Sequence, residues 1–360
     1  MSSHPQNPNV ERQRPENKKG EILFKEKLYA LQVEGKPAIR DEFDARGIEE
    51  ILGKRMAQTL ADMRRLQAGG VTLSPYLEVG AERCQRALVL ENDLGATGVA
   101  ADLSHAMLKS GEHYRAVFGK SRAPVRVCCD VNNLPFPSNT FPFVYCYQTL
   151  HHFPDPAPIV RELHRVVAPG GHFFFAEEPY RRVLHLDLYA SSSVYSKESL
   201  ERSLFRKVLD YFFSEETCNE TGYGVIENHD VSTAQWRSAL AVFAEKDVEI
   251  RRTEFFRASL YPPRSLLRYL GAWLLGGLIS GKCRKDGPAP AGAPARIRYL
   301  CPSCREEKGA EVEVADKGGA FACPACSRSY PLVDGVLFLF SHATMKELYP
   351  DAYAAARAAA

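Results

Sequence analysis

Four cysteines toward the C-terminal end of the 360-residue chain carry the clearest chemistry: Cys301-Pro-Ser-Cys304 and Cys323-Pro-Ala-Cys326. The spacing is C-x2-C, eighteen residues, then C-x2-C. Two tight knuckles of thiolates match tetrahedral zinc, with no coordination position left open for catalysis. A structural Zn2+ is therefore expected at Cys301, Cys304, Cys323 and Cys326, the alternative being unpaired buried thiols. The other six cysteines, Cys84, Cys128, Cys129, Cys146, Cys218 and Cys283, are scattered and read as small buried hydrophobes rather than a disulfide framework. That usage, with a polar first twenty residues lacking the apolar core of a signal peptide, points to a reducing, cytoplasmic location.

A second set of polar side chains falls at the ends of short apolar runs. Glu78 and Gly80 close Tyr76–Gly80, Asp102 follows Thr97–Ala101, and Asp130 follows Val125–Cys129. Gln148, His151 and His152 follow Phe143–Tyr147, while Glu177 and Glu178 follow His172–Ala176. A carboxylate 22 positions beyond the glycine can accept from both hydroxyls of a ribose, and one at the next strand end can accept from an exocyclic amine. Taken singly, each is equally an ordinary strand-end carboxylate. His151 and His152 titrate near neutrality and are candidates for a general base, although a positional role is the plainer reading. Glu177 is a further catalytic candidate; solvated loop carboxylates are the plainer reading of it and Glu178.

The elements that must position these residues alternate between strand and helix. Helical stretches at about 82–93, 104–118 and 156–168 lie between the apolar runs. This predicts an α/β fold, a doubly wound, mostly parallel sheet with its ligand at the carboxyl ends of the strands. Upstream, residues 1–20 read as a disordered tail. Residues 39–69 carry Ile48, Ile51, Leu52, Met56, Leu60 and Met63 at helical spacing, as one or two amphipathic helices. An insertion over about 180–230, with Tyr189, Tyr195, Tyr211, Phe212 and Phe213, is the expected place for acceptor specificity. The amphipathic stretch Ser232–Ala244 and a strand at Val248–Thr253 then return to the sheet, so that residues 21–260 form one domain. Hydrophobic residues at 45% and charged residues at 25% allow such a core. With 46 basic against 44 acidic residues, no global field draws in nucleic acid.

Residues 261–285 read as an apolar helix. Only thirteen residues separate Arg268 from Lys282, fewer than the roughly 20 that a membrane-spanning helix needs. The segment is expected to pack on the domain or under the cysteine module. Alternatively it lies in a membrane interface, flanked by Arg264, Arg268, Lys282, Arg284 and Lys285, with Trp273 at headgroup level. Residues 286–295 are a Gly/Pro/Ala linker, 296–340 the zinc ribbon, and 341–360 an alanine-rich tail, helical or frayed.

The stretch from about 75 to 180 resembles the core of class I S-adenosylmethionine-dependent methyltransferases of the small-molecule type. The segments that carry the resemblance are YLEVGAERC, GVAADLS, CDVNNLPFPSNTFPFVYCYQTLHHFPDP and LHRVVAPGGHFFFAEEP. It implies a Rossmann-like fold and S-adenosyl-L-methionine as cofactor. Glu78, Gly80 and Ala81 would line the methionine end, Asp102 and Leu103 the ribose, Asp130 and Val131 the adenine, and Gln148 the sulfonium. The family's first loop reads E/D-x-G-x-G-x-G, whereas Glu82 and Cys84 stand here at the second and third glycines. Those side chains either narrow the site or force another backbone path. No N-P-P-Y segment follows the fourth strand, which tilts the reading toward oxygen or carbon of a small-molecule, lipid- or glycan-linked acceptor.

Residues 298–340, including RSYPLVDGVLFLF, resemble the zinc-ribbon proteins that activate tRNA, rRNA and release-factor methyltransferases by strand addition. A fused copy is expected to pack on its own methyltransferase domain and to cover 264–282. Two other readings compete: an RNA or protein methyltransferase with a built-in activator, and a non-catalytic scaffold with a degenerate cofactor loop.

Overall fold

The computed structural model describes residues 13–35, 45–192, 202–217, 219–253, 255–261, 265–289, 292, 296–318 and 320–358. Tyr195, Cys218 and Arg264 lie outside these residues, as do 39–44 of the expected 39–69 helical stretch, most of 1–20 and half of the 286–295 linker. In chain order the elements begin with α1 (Pro15–Val33), α2 (Ala45–Ala68), β1 (Tyr76–Val79), α3 (Gln85–Asp93), β2 (Gly98–Asp102) and α4 (His105–Val117). Next come β3 (Val125–Cys129), β4 (Phe141–Tyr147), α5 (Ala157–Val166), β5 (Val167–Tyr180), β6 (Tyr189–Ser192), α6 (Leu204–Phe213) and β7 (Ser214–Thr217). They are followed by α7 (Thr233–Leu240), β8 (Glu245–Arg251), β9 (Arg257–Ser259), α8 (Leu266–Leu275) and β10 (Gly277–Arg284). The C-terminal part holds α9 (Pro302–Lys308), β11 (Ala315–Asp316), β12 (Ala320–Ala322), β13 (Ser329–Val333), β14 (Val336–Leu339), α10 (His342–Leu348) and α11 (Pro350–Ala358).

The main sheet runs β11-β12-β13-β14-β3-β2-β1-β4-β5-β10-β8-β9, with β3-β2-β1-β4-β5 parallel throughout. Strand order reverses between β1 and β4, so the crevice above these two is the switch point at which such sheets take ligands. Strands β1 and β2 and most of β4 are buried, which is why they read as apolar runs rather than alternating ones. Trp236 of α7 stacks on Phe175 of β5 with ring planes 5° apart, closing the core on that side.

Four expectations about the flanks need correction. The first twenty residues are not all tail: α1 starts at Pro15, whose fixed φ suits a first helical turn, and buries Ile22, Phe24 and Leu28. Its Gly20 allows the backbone to touch the insertion, since a Cβ there would stand 1.8 Å from the Tyr223 carbonyl oxygen. The apolar stretch 261–285 is not one helix. Gly276 and Gly277, both at positive φ, end α8, and the following residues alternate as β10, with Ile279, Gly281 and Cys283 buried. The segment at 341–360 is not a tail, because α10 and α11 bury Met345, Leu348, Ala352 and Ala356. Finally, the cysteine module does not cover 264–282. It joins the sheet through β14 at the β3 edge, whereas β10 lies beyond β5 on the other side.

The antiparallel placement of β10 between β5 and β8 rests on a close approach at Gly281. A Cβ there would lie 2.6 Å from Phe175 Cε1 and 2.8 Å from Val248 Cγ2. Phe175 is held by Trp236 and cannot yield cheaply, so Gly281→Ala should cost about 1–3 kcal/mol by overpacking. Urea unfolding reads this as a lower midpoint at constant m; an unchanged midpoint would show a slacker core than described.

Candidate active site and cysteine centre

Five strands of the sheet deliver residues to one cavity of about 1140 Å³. Gly80 follows β1, Asp102 ends β2, Asp130 follows β3, Gln148 follows β4, and Glu177 lies near the end of β5; all five line it. Leu103 and Val131 line it as well. Glu78 and Ala81 do not. Glu78 lies beneath the floor, where its carboxylate accepts from the Ala87 N–H at 3.1 Å, and burial pushes its pKa up to about 8. Glu178 is fully buried instead of a solvated loop carboxylate, and accepts from the backbone N–H groups of Thr149, Leu150 and His151.

The loop after β1 keeps a left-handed path without its glycines. Gly80 has φ 69°, and Glu82 and Cys84 adopt φ 47° and 58°, a conformation that costs an L-residue about 1–2 kcal/mol. Gln148 at φ 49° and Glu177 at φ 62° add two more such residues around the same cavity. Clustering of this kind is where folds store strain for function. The Glu82 N–H donates to Asp102 Oδ2 at 2.8 Å, and the Ser104 N–H donates to Asp102 Oδ1 at 2.8 Å. Burial, only partly offset by these bonds, raises the Asp102 pKa to about 6. The Glu82 side chain is drawn aside by Arg83 and Arg55, and these cations overcome burial to hold its carboxyl well below the usual range.

Several residues at the cavity carry no motif that sequence reasoning could use. Arg86 is buried against the Tyr147 ring, 4.1 Å from its centroid, and meets Glu177 at 3.3 Å, yet its Nε–H has no partner. Arg55 of α2 donates to Gln148 Oε1 at 3.3 Å. From α1, Lys18 pairs with Asp130, and Glu21, Lys25 and Leu28 line the wall. From the insertion come Glu227 and His229. Only proximity in the fold joins these to the strand ends.

His151 and His152 also line the cavity, their ring centroids 4.3 Å apart. His151 Nδ1 is 2.8 Å from Glu178 Oε2, and its Nε2 faces Glu227. Burial opposes protonation of His151, but the bonds to Glu178 and Glu227 outweigh it and raise its pKa to about 10. Burial and the neighbouring His151 charge lower that of His152.

The four cysteines of the C-terminal module come together. Cys301 and Cys326 Sγ are 3.6 Å apart, Cys304 and Cys323 Sγ 3.7 Å, and each of the four offers one sulfur within 4.8 Å of the rest. These distances are far too long for disulfides. They match the roughly 3.8 Å separation that Zn–S bonds of about 2.3 Å produce in a tetrahedron. The Cys304 N–H points at Cys301 Sγ, and the buried Tyr330 hydroxyl lies 3.0 Å from the same sulfur.

Residues 77–175 match the family described as a methyltransferase domain. Over 202 residues the chain is 23% identical to the chloroplastic tocopherol O-methyltransferase of Arabidopsis thaliana, covering 53% of this chain and 56% of that protein. Over 83 residues it is 40% identical to the demethylmenaquinone methyltransferase of Corynebacterium urealyticum, covering 23% of this chain and 33% of that one. The chain thus spans about half, or less, of the length of these curated relatives. Among solved structures it is similar to an S-adenosylmethionine-dependent methyltransferase from Mesorhizobium loti, 18% identical, with 60% of this chain and 92% of that chain covered and a TM-score of 0.37.

Proposed function

We propose that this chain, whose residues 77–175 form a methyltransferase domain, moves a methyl group from S-adenosylmethionine to an oxygen or carbon of a small, lipid-linked acceptor. The observation that carries the reading is the convergence of five strand ends on one cavity at the sheet's switch point. The residues present fit the cofactor. Asp102 keeps lone pairs for two ribose hydroxyls, the orphaned Nε–H of Arg86 suits a carboxylate, and the loop after β1 holds a glycine-like path. Asp130 would take the adenine amine by exchanging its bond to Lys18, and Gln148 would stand beside the sulfonium. Bound there, the cofactor supplies an electrophilic methyl group. The chain's own work is alignment and exclusion of water, with α1 and the insertion forming walls of the cavity. His151, fixed by Glu178, positions the acceptor end, and Glu177 is available to accept from an acceptor hydroxyl.

The relatives' names support a small-molecule acceptor, and the surface beside the cavity supports a lipid-linked one. Leu204, Phe205 and Val208 of α6 and Leu266, Leu267, Leu270 and Trp273 of α8 are exposed. The 183–188 segment, bonded to both helices through Leu274 and Phe212, adds exposed Leu184, Leu186 and Leu188. Lys207 and Arg268 stand among them, as does Arg206, which pairs with Asp210 at 2.9 Å; exposed apolar residues with basic ones between them suit an anionic lipid surface. Arg182, Lys207 and Tyr211 belong also to the cavity lining, so the cavity extends to this face. Among the described residues no helix is long and apolar enough to cross a membrane.

Two measurements test the reading. Transfer of label from methyl-tritiated S-adenosylmethionine should favour hydroxyaromatic acceptors with isoprenoid tails, presented in vesicles, over the same head groups without tails. No transfer to either class by cofactor-binding protein would sink the proposed activity. Co-sedimentation with phosphatidylglycerol vesicles should fall at least fivefold in Phe205→Glu/Leu267→Glu, and equal sedimentation of the variant would remove the lipid surface from the reading.

Supporting a Zn2+ at Cys301, Cys304, Cys323 and Cys326 is the gathering of their four sulfurs within 4.8 Å of one another, two pairs of them at 3.6 and 3.7 Å. Its role is to hold the knuckles of the C-terminal module, which packs on the methyltransferase domain along β3.

A further inference from the structure

The histidine end of the cavity holds a group of donors that alignment alone does not require. With His151 Nδ1 fixed by Glu178, its Nε2 lies 3.4 Å from Glu227 Oε2. His229 Nε2 is 3.4 Å from that same oxygen. His152 Nδ1 is 2.9 Å from the Ile226 carbonyl and 3.4 Å from Glu227 Oε1. The Glu227 side chain is nine-tenths buried, and its Oε1 has no hydrogen-bond partner. His151, His152 and Glu227 each offer one ligand atom within 4.8 Å of the other two.

Distances of 3.4 Å are long for N–H···O bonds, whose mode is about 2.9–3.0 Å. The two at Glu227 Oε2, from His151 Nε2 and His229 Nε2, are the spacing of ligands on one ion, because bonds of about 2.0–2.1 Å in a tetrahedron set donors roughly 3.3–3.4 Å apart. His152 Nδ1 donates to the Ile226 carbonyl, which leaves its Nε2 as the ligand atom. The buried Glu178 behind His151 has the place of the outer carboxylate that orients a metal-binding imidazole.

We propose that His151, His152 and Glu227, with His229 in reach as a further donor, form a divalent-cation site in the cavity, the cation displacing the proton that His151 Nε2 otherwise holds toward Glu227. Imidazoles with one carboxylate favour Zn2+, Co2+, Fe2+ or Mn2+ over Ca2+ and Mg2+. Three protein donors leave a position open toward the cavity, unlike the closed set at the four cysteines. Only its use rests on the methyl-transfer reading. An acceptor hydroxyl bound to the cation releases its proton to water, and the oxygen lone pair forms the new O–CH3 bond. The S–CH3 bonding pair stays on sulfur, so the products are the methyl ether, S-adenosylhomocysteine and one proton.

The test is titration of full-length protein that carries one zinc per chain, at the cysteines, with Mn2+, followed by loss of the free-ion EPR signal, and with Co2+, followed by its visible absorption. One Mn2+ per chain is expected, together with a Co2+ band of nitrogen–oxygen type at unchanged cysteine-bound zinc. Glu227→Gln and His152→Gln should each weaken uptake at least tenfold, so that either suffices if the other fails to fold. A folded wild type that takes up neither ion, or a folded variant with unchanged uptake, overturns the site. S-Adenosylhomocysteine binding on the same preparations separates the two ideas. Protein that binds it but no cation overturns this proposal alone, and protein that binds the cation but no nucleoside keeps the site and overturns the transfer reading.

Discussion

Asp102→Ala should lower the affinity for S-adenosylhomocysteine by at least about 100-fold while leaving the protein folded. A carboxylate accepting from two ribose hydroxyls makes charge-assisted bonds of about 1.5–3 kcal/mol each, and every 1.4 kcal/mol is about tenfold. The variant also deprives the Glu82 and Ser104 N–H groups of their acceptor, so calorimetry must be paired with near-ultraviolet circular dichroism. The same residue predicts a pH dependence. Burial sets its pKa near 6, and the ribose hydroxyls need the ionised form as acceptor. Affinity should therefore be level above about pH 7 and weaken as pH falls through 6, approaching tenfold per unit below it. In Asp102→Asn, with no carboxyl to titrate, that decline should vanish. A wild type whose affinity is flat from pH 7 to pH 5, or a folded Asp102→Ala that binds as well as wild type, would place the ribose elsewhere.

Asp102 was legible in the sequence because strand ends in a buried parallel sheet announce themselves: an apolar run stops and a polar residue follows. The same signal located Gly80, Asp130, Gln148 and Glu177, all of which line the cavity. It over-reached at Glu78, where a side chain inside a strand alternates away from the ligand and into the floor. Residues brought in by packing carry no such mark. Helix α1 is rich in charge and contains Gly20, so its periodicity is faint, and it is defined by burial against Met107 and Val225. Glu227 lies 76 positions beyond His151 in an insertion with little regular pattern, and Arg86 is one arginine among many. The apolar stretch before the linker misled for another reason. Its composition suits a helix and a buried strand equally, and only the paired glycines at 276 and 277 mark where one gives way to the other.

Removing the zinc proposed at the four cysteines should have the largest effect of any single change, and it should reach the cofactor site. Structural zinc contributes on the order of 10–16 kcal/mol to folding zinc-finger peptides, far more than the sparse core of so small a module can replace. Without it, the knuckles at Cys301–Cys304 and Cys323–Cys326 have nothing to hold them, and the anchoring of β13 and β14 is lost. The consequence follows from where the module is attached. β14 pairs with β3 from Val336↔Arg126 to Leu339↔Cys129, so its loss opens an edge at which Val127, Cys128 and Cys129 are buried. Tyr349 accepts from the His105 N–H at 3.1 Å and donates to the Leu103 carbonyl at 2.7 Å, bracketing the turn after Asp102. Arg305 donates to Asn133 Oδ1 at 3.0 Å, and the Leu300 N–H donates to the Pro135 carbonyl at 2.9 Å, which fixes the loop after Asp130. Both proposed nucleoside contacts therefore rest on the C-terminal module. Chelation, or Cys301→Ser with Cys304→Ser, should release one zinc per chain, lower the melting temperature by more than 10 °C and promote aggregation. S-Adenosylhomocysteine affinity should fall at least tenfold in whatever stays soluble. The sharper comparison is Tyr349→Phe, which keeps the ring and the zinc but removes the hydroxyl. It should weaken cofactor binding severalfold with a far smaller drop in melting temperature than zinc removal, because it frees the His105 N–H and the Leu103 carbonyl and loosens the Asp102 turn without opening the β3 edge. Zinc-free protein that stays monomeric and binds the nucleoside as tightly as before would mean that the module is an appendage and that the sheet stands without it.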